Sequence, residues 1–157
     1  LFDNTRLIKS IPERYLTQVQ SIVMTNIRSG ARASDMEGLL RDQFGVTQRR
    51  AKMIARDQTS KINGQLNQKR QSAVGFNYFK WKTVGDAKVR DRHREIANKL
   101  TAYGRGIYRW DNPPLSSRGE PIIPGQDYQD RCSGIPVSDE QVAQNQKEGK
   151  VAKGVYR

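Results

Sequence analysis

Hydrophobic residues recur at helical spacing in the first third of the chain and predict two consecutive helices. The first begins with Ser10 as its N-cap and Pro12 in its first turn, and it ends at Gly30. The sequence Ser34–Glu37 is typical of a capping box that opens the second helix, and Gly45 ends it. The residues expected to face inward are Tyr15, Leu16, Val19, Ile22, Val23 and Ile27 in the first helix, and Met36, Leu39, Leu40 and Phe44 in the second.

A third, longer helix is predicted from Thr47, which caps it, to about Ala73. Its first half is amphipathic, whereas residues 64–71 are polar on all sides and are expected to be solvated or to lie along a partner. The expected buried positions of the third helix are Ala51, Ile54, Ala55, Ile62 and Leu66.

The apolar stripe of the first helix has two interpretations: it packs in the core of the same domain, or it is a packing site for another subunit.

Residues 74–84 change to the period-two alternation of a β-strand, in which Phe76, Tyr78, Phe79 and Trp81 are interleaved with Lys80 and Lys82. Such aromatic residues stack on the bases of single-stranded nucleic acid in some proteins, but one buried and one solvated face of a sheet is the interpretation we favour. Residues 103–110 suggest a turn and a second short strand that pairs with the first. Residues 111–129, rich in proline and glycine, predict a long loop, and Ser138 opens a last helix over residues 139–148.

The predicted fold is therefore α+β and mainly helical. Its N-terminal helices precede a small antiparallel sheet with one associated helix, and a long irregular loop follows towards the C-terminus.

The helix predicted between the two strands, over residues 86–100, contains the single histidine, His93. Asp86 is expected to cap this helix. At about 100° per residue, Asp86, Arg90 and His93 fall on one line beside its apolar face, which predicts an ion pair between Asp86 and Arg90 and a half-buried imidazole. We interpret Asp86, Arg90, His93 and Cys132 as a structural polar cluster.

Positive charge is concentrated in the middle of the 157-residue chain. The formal net charge is +12, and residues 47–110 hold 16 Lys or Arg against 4 Asp or Glu, so the flanks sum to zero. This distribution favours a polyanionic partner, usually nucleic acid, over a merely solubilising face. No apolar run is long enough to span a bilayer, and the single cysteine, Cys132, rules out an internal disulfide.

Catalytic and metal-binding patterns are weak, and we predict no catalytic residue, no cofactor and no enzyme activity. His93 and Cys132 form a nucleophile–base pair only if folding brings them together, and no third member is recognisable. A metal-dependent nuclease would need Asp86, His93 and Asp130 to converge. His93, Asp130 and Cys132 are zinc-ligand types without the usual local spacing, so a buried histidine and a free thiol are the favoured interpretation.

Several short motifs in a fixed order resemble the phage Mu protein F-like family of minor head proteins. They are Ile54–Thr59 with Asn63, Lys80–Lys82, Gly85–His93, Pro124–Gly125 and Arg131–Cys132. The most specific is D-x-x-V-R-x-x-H, here Asp86, Val89, Arg90 and His93. The family often ends this domain with Cys-Arg-Cys, and Asp130 replaces the first cysteine here, which weakens any inference of a metal site.

The resemblance implies a phage head morphogenesis protein, located in the virion head near the portal and in the host cytoplasm during assembly. Its expected partners are the portal protein, other capsid components and double-stranded DNA bound without sequence specificity, with no membrane and no small-molecule substrate. A DNA-processing enzyme and a purely protein-binding assembly factor are the alternatives. The predicted DNA-binding residues are Arg49, Lys52, Arg56, Lys80, Lys82, Lys88, Arg92 and Lys99.

The same resemblance divides the chain into three parts: an N-terminal helical segment over residues 1–33, the Mu F-like domain over residues 34–137, and a C-terminal helix and tail over residues 138–157. Because the sequence begins at Leu1 rather than Met, we expect it to belong to a longer polypeptide.

Overall fold

The computed structural model describes residues 13–86, 89–127 and 132–153 and has the α+β architecture predicted from the sequence. Three helices precede a small antiparallel sheet, and a fifth helix follows it. In chain order the elements are α1 Glu13–Ser29, α2 Ala33–Phe44, α3 Gln48–Ala73, β1 Tyr78–Lys82, α4 Asp91–Asn98, β2 Leu100–Thr101, β3 Gly104–Arg105, β4 Ile107–Arg109, β5 Ser133–Val137 and α5 Asp139–Lys147.

Helices α1, α2 and α3 pack around one hydrophobic core, so the apolar stripe of α1 lies against its own chain. The predicted cap of α3 is confirmed, since Thr47 Oγ1 accepts a hydrogen bond from the Arg50 backbone N–H at 3.2 Å. The buried members of this core are Val19, Val23, Met36, Leu40, Ala51, Ile54, Ala55 and Ile62.

Two details of α2 differ from the prediction. The helix begins at Ala33 with Arg32 as its N-cap, so the capping box at Ser34–Glu37 is wrong, and the Arg32 backbone N–H donates to Asp35 Oδ2 at 3.2 Å instead. Leu39, expected to face inward, is 50% exposed. The predicted cap and first turn of α1, at Ser10 and Pro12, lie outside the described residues.

The polar second half of α3 packs against the sheet of the same chain. Asn67 Nδ2 and Gln71 Nε2 each donate to the Gly134 carbonyl at 2.9 Å, and Gln71 Oε1 accepts from Trp110 Nε1 at 3.2 Å. These amide side chains satisfy polar groups of the sheet that a hydrophobic helix face would leave without partners. The polarity of this half, which suggested solvent or a partner molecule, therefore serves an internal interface.

The main sheet has the antiparallel order β4-β1-β5. The predicted pairing of β1 with a strand in residues 103–110 is confirmed, with Phe79 opposite Tyr108 in the register. Phe79 and Trp81 are buried on the inner face, where the Phe79 and Trp110 rings stack at 4.0 Å between centroids. The alternation along β1 is thus that of a half-buried strand, with Lys80 and Lys82 exposed.

Strand β5 was not predicted, because Gly134 and Pro136 weaken the local strand signal. The strand lies at a sheet edge, where a proline costs little, and Gly134 is tightly packed: a Cβ there would lie 3.1 Å from Trp110 Cη2. Ser138 caps α5 as predicted, accepting from the Gln141 backbone N–H at 3.1 Å.

The long loop supplies part of the second core, because Ile122 and Ile123 are buried with the aromatic residues of the sheet. It approaches α3 very closely. A Cβ on Gly64 would lie 2.3 Å from the Pro124 carbonyl oxygen, and one on Gly125 would lie 2.6 Å from the Ser60 carbonyl oxygen. Only glycine on both sides permits this backbone contact.

A buried ion pair lies on α3. Lys61 Nζ is 2.8 Å from Asp57 Oδ2, and the two side chains are 2% and 0% exposed. Helical spacing puts Asp57, Lys61 and Gly64 on one face of α3, the face that meets the loop. None of the helices in the described part of the chain has the length and hydropathy of a transmembrane segment.

Replacing Gly64 with alanine is expected to destabilise the protein by about 1–3 kcal/mol, because the backbone of Pro124 must move away. Urea unfolding followed by tryptophan fluorescence measures this change. Gly38→Ala in α2 is the matched control, because nothing lies within 4 Å of a Cβ there, and it should stabilise the helix by up to about 1 kcal/mol. Equal effects of the two substitutions would contradict the close contact.

Replacing Lys61 alone with methionine is expected to cost about 3–5 kcal/mol, because the buried Asp57 carboxylate loses the ammonium group 2.8 Å away. The double variant D57L/K61M should recover most of this loss, since it removes both charges of the pair. The same unfolding measurement applies. If the double variant is destabilised by the sum of the two single effects, the ion pair is not the coupled unit described here.

Candidate nucleic-acid interface and the buried histidine cluster

Helix α4 begins at Asp91 with Arg90 as its N-cap, so Asp86 does not cap it and does not share its face. The prediction of one line through Asp86, Arg90 and His93, with an ion pair spaced i,i+4, is therefore wrong. The Asp86 carbonyl closes a turn with the Val89 backbone N–H at 3.2 Å, and the extended backbone at Arg90 separates that turn from the helix. Asp86 also accepts a hydrogen bond from Arg94 Nη2 at its carbonyl oxygen, at 2.9 Å.

His93 is 3% exposed and lies between a thiol and a carboxylate. Its Nδ1 is 3.7 Å from Cys132 Sγ, its Nε2 is 3.2 Å from Asp127 Oδ2, and its ring is 5.7 Å from that of Trp81. Arg90 Nη1 is 3.6 Å from the same Asp127 oxygen. The structure thus brings Arg90, His93 and Cys132 into one cluster, which connects α4 to the loop and to the start of β5.

Asp127 is the member of the cluster that sequence reasoning missed. It lies 34 residues after His93, in a loop with no periodic pattern, so no local spacing relates the two. The available signal was indirect: a loop of this length in a compact domain is functional or tied down, and a buried histidine requires a hydrogen-bond partner.

The geometry of the cluster favours packing over metal binding. The thiol and the carboxylate lie at opposite ring nitrogens, so Asp127 and Cys132 do not face one common position. Within residues 13–86, 89–127 and 132–153, no group of three or more His, Cys, Asp or Glu side chains is arranged to hold a metal ion. Asp130, the third metal candidate, lies outside the described residues.

The thiol of Cys132, the imidazole of His93 and the carboxylate of Asp127 follow one another in the same order as the nucleophile, the base and the orienting group of a catalytic triad. In this chain the imidazole is enclosed by Trp81, the loop and β5, and its contacts hold together three segments that are distant in sequence. We therefore interpret the cluster as a structural element.

Six of the eight predicted DNA-binding residues are exposed: Arg49, Lys52, Arg56, Lys80, Lys82 and Lys99. Helical spacing places the first three on one stripe of α3. Lys80 and Lys82 project from the face of β1 opposite to Phe79 and Trp81. Phe79 and Trp81 are buried and so are not available to stack on bases, whereas Phe76 and Tyr78 are half-buried.

The other two predicted residues differ from these six. Lys88 lies outside the described residues. Arg92 is half-buried, and its guanidinium group is already bound: Nε and Nη2 donate to the Leu115 carbonyl at 2.9 and 2.7 Å, and Nη1 donates to Glu95 at 3.1 Å. Arg92 therefore holds the loop on α4. Two cations that the sequence did not single out, Arg105 and Lys150, line a groove together with Lys80.

Electrostatic shifts in this part of the chain arise around β4. Burial raises the pKa of Tyr108 to about 12, and its hydroxyl donates to the Ile96 carbonyl at 2.6 Å. Arg109 binds both carboxylate oxygens of Asp111, at 2.8 and 2.9 Å, and its hydrogen bonds lower the pKa of the Asp111 carboxyl. Arg109 is thus already paired with an anion.

Comparison with known proteins identifies a family and a relative of this chain. The profile of the family described as phage Mu protein F-like matches residues 17–135. An uncharacterised protein of Haemophilus influenzae (strain Rd) is 37% identical over 144 residues, which is 90% of this chain and 30% of that protein. The chain thus spans about a third of the length of this relative. No solved structure matches the chain.

Replacing Asp127 with alanine is expected to destabilise the fold by about 1–3 kcal/mol, because the carboxylate beside His93 Nε2 and Arg90 Nη1 is removed. Urea unfolding measures the change. Asp111→Ala is the control: it breaks an ion pair that is shorter, at 2.8 Å, but whose carboxylate is more exposed, and it should cost less than about 1 kcal/mol. A cost at Asp127 no larger than at Asp111 would exclude a stabilising role for the cluster.

Proposed function

Because the chain belongs to the phage Mu protein F-like family, we propose that it acts in phage head morphogenesis as a minor head protein of the virion. The observation that carries this proposal is the family match, which extends from α1 to β5 and so includes the core of the N-terminal helices and the aromatic core of the sheet. We further propose that the protein associates with the portal vertex or the capsid interior, with the portal protein and other capsid components as partners.

Contact with packaged double-stranded DNA is the second part of the proposal. It is supported by the basic central segment and by the exposure of the three cations on α3. Cations that lie along a helix without a bound carboxylate suit phosphate groups, which every DNA sequence presents. The proposed contacts are Arg49, Lys52, Arg56, Lys80, Lys82 and Lys99, and Lys88 from outside the described residues. Arg92, the eighth predicted residue, contributes less because its donors already hold Leu115 and Glu95.

Two alternatives remain open to experiment. A metal-dependent nuclease would use His93 with Asp86 and Asp130, and a purely protein-binding assembly factor would use the same positive charge against acidic portal surfaces. Non-specific DNA binding is favoured here because the exposed cations are spread over several elements, which suits an extended polyanion better than a single acidic contact.

A filter-binding titration with duplex DNA tests the DNA contact. Binding is expected to be independent of sequence and to weaken by at least about tenfold between 50 and 200 mM salt. The triple variant R49Q/K52Q/R56Q should bind more weakly and lower the slope of log K against log salt by about 2–3, which is roughly 0.9 for each lost phosphate contact.

The matched control is R28Q/R41Q/R118Q, which removes three exposed cations outside the basic segment and should retain nearly the wild-type slope. Wild-type protein that binds no duplex in a salt-sensitive manner would refute the DNA contact. Cleavage of supercoiled plasmid with added Mg²⁺ or Zn²⁺, lost on His93→Gln, would support the nuclease instead.

A further inference from the structure

A groove of about 490 Å³ lies between the outer face of the main sheet, the β2–β3 hairpin and α5. Its apolar lining comes from Leu100, Ile107 and Val137. Its charged lining comes from Lys80 on β1 and from two cations, Arg105 and Lys150, that lie outside the predicted DNA-binding set.

The walls of this groove are fixed by contacts between the hairpin and α5. Asn145 Nδ2 donates to the Tyr103 carbonyl at 2.9 Å, and a Cβ on Gly104 would lie 2.7 Å from that same nitrogen, so glycine is required where the hairpin meets the helix. Gln141 Nε2 in turn donates to Asn145 Oδ1 at 3.0 Å. The two amide groups are thus occupied in holding the wall in place.

The position of Lys150 is also fixed by the backbone. Gly149 has a φ of 72°, which reverses the chain at the end of α5, and the Lys150 N–H donates to the Asn145 carbonyl at 2.9 Å. The Ala152 N–H then donates to the Thr101 carbonyl of the hairpin at 2.8 Å. The segment after α5 is therefore bound along the groove.

The groove is electropositive. None of its lining side chains is acidic, and Lys80 is within 4.0 Å of no carboxylate in the described part of the chain. Arg105 uses Nη1 to donate to the Asn98 carbonyl at 2.6 Å, which leaves its other donors for an anion. Lys150 is 2.8 Å from Glu148, but both side chains are solvent-exposed, so this ion pair contributes little and its ammonium group is accessible to a phosphate.

We propose that this groove binds the phosphodiester backbone of duplex DNA, with Lys80, Arg105 and Lys150 as the phosphate contacts. The inference rests on the proposed DNA contact and adds a location and two residues to it. Three cations from three separate elements surround the groove, and this arrangement suits successive phosphates along a strand better than one carboxylate. The apolar lining suits the carbon face of deoxyribose.

Filter binding with the triple variant K80Q/R105Q/K150Q tests this inference. At about 100 mM salt the variant is expected to bind duplex DNA at least about tenfold more weakly than wild type, with a salt slope lower by about 2–3. The control R28Q/R41Q/R118Q removes the same charge elsewhere and should change affinity by less than about threefold, because exposed charges beyond about 10 Å are screened. Unfolding in urea confirms that each variant is folded.

The outcomes separate this inference from the general proposal. If the wild-type protein binds DNA and the groove variant binds it as tightly as the control does, the groove is not the DNA-binding site. The general proposal of a DNA contact is then retained. If wild type binds no DNA, both fail. The same titrations with polyglutamate provide the third arm: loss of polyglutamate binding in the groove variant, with DNA binding unchanged, would assign the groove to an acidic protein and overturn the inference.

Discussion

The backbone contact between α3 and the long loop is the constraint on which the rest of the structure depends. Gly64 and Gly125 let the backbones of α3 and the loop approach to a distance that no side chain would permit. That approach places Ile122 and Ile123 in the aromatic core of the sheet, while the other face of α3 belongs to the core of the N-terminal helices. Helix α3 therefore contributes side chains to one core and meets the loop that completes the other.

Buried polar groups at the interface between α3, the loop and the sheet determine how these segments can pack against one another. A buried ion pair and two amide side chains must find partners, since leaving any of them unpaired costs more than the hydrogen bond itself contributes. Asn67 and Gln71 meet the same carbonyl of β5. The cluster of His93, Asp127 and Cys132 fulfils the same role just after the loop segment that meets α3. Specific hydrogen bonds thus fix the position of a loop that has almost no regular structure.

This division of roles bears on function. The ionisable residues in the interior are occupied with one another, and the exposed cations are distributed over α3, β1, the hairpin and the segment after α5. A protein that binds a long polyanion without reading its sequence needs rigid placement of many charges more than it needs one reactive group. The proposed role in the phage head requires a scaffold of this kind.

The sequence by itself determined the elements with strong local signals. Helical periodicity located α1 to α3, Ser138 located α5, and alternation located β1, because these patterns depend on residues only a few positions apart. The family motifs and the charge of the central segment were also readable directly. Only the tertiary structure decided the start of α4, the strand at Gly134, the partner of His93 and the groove. Each of these depends on contacts between segments distant in the chain, for which local spacing holds no information.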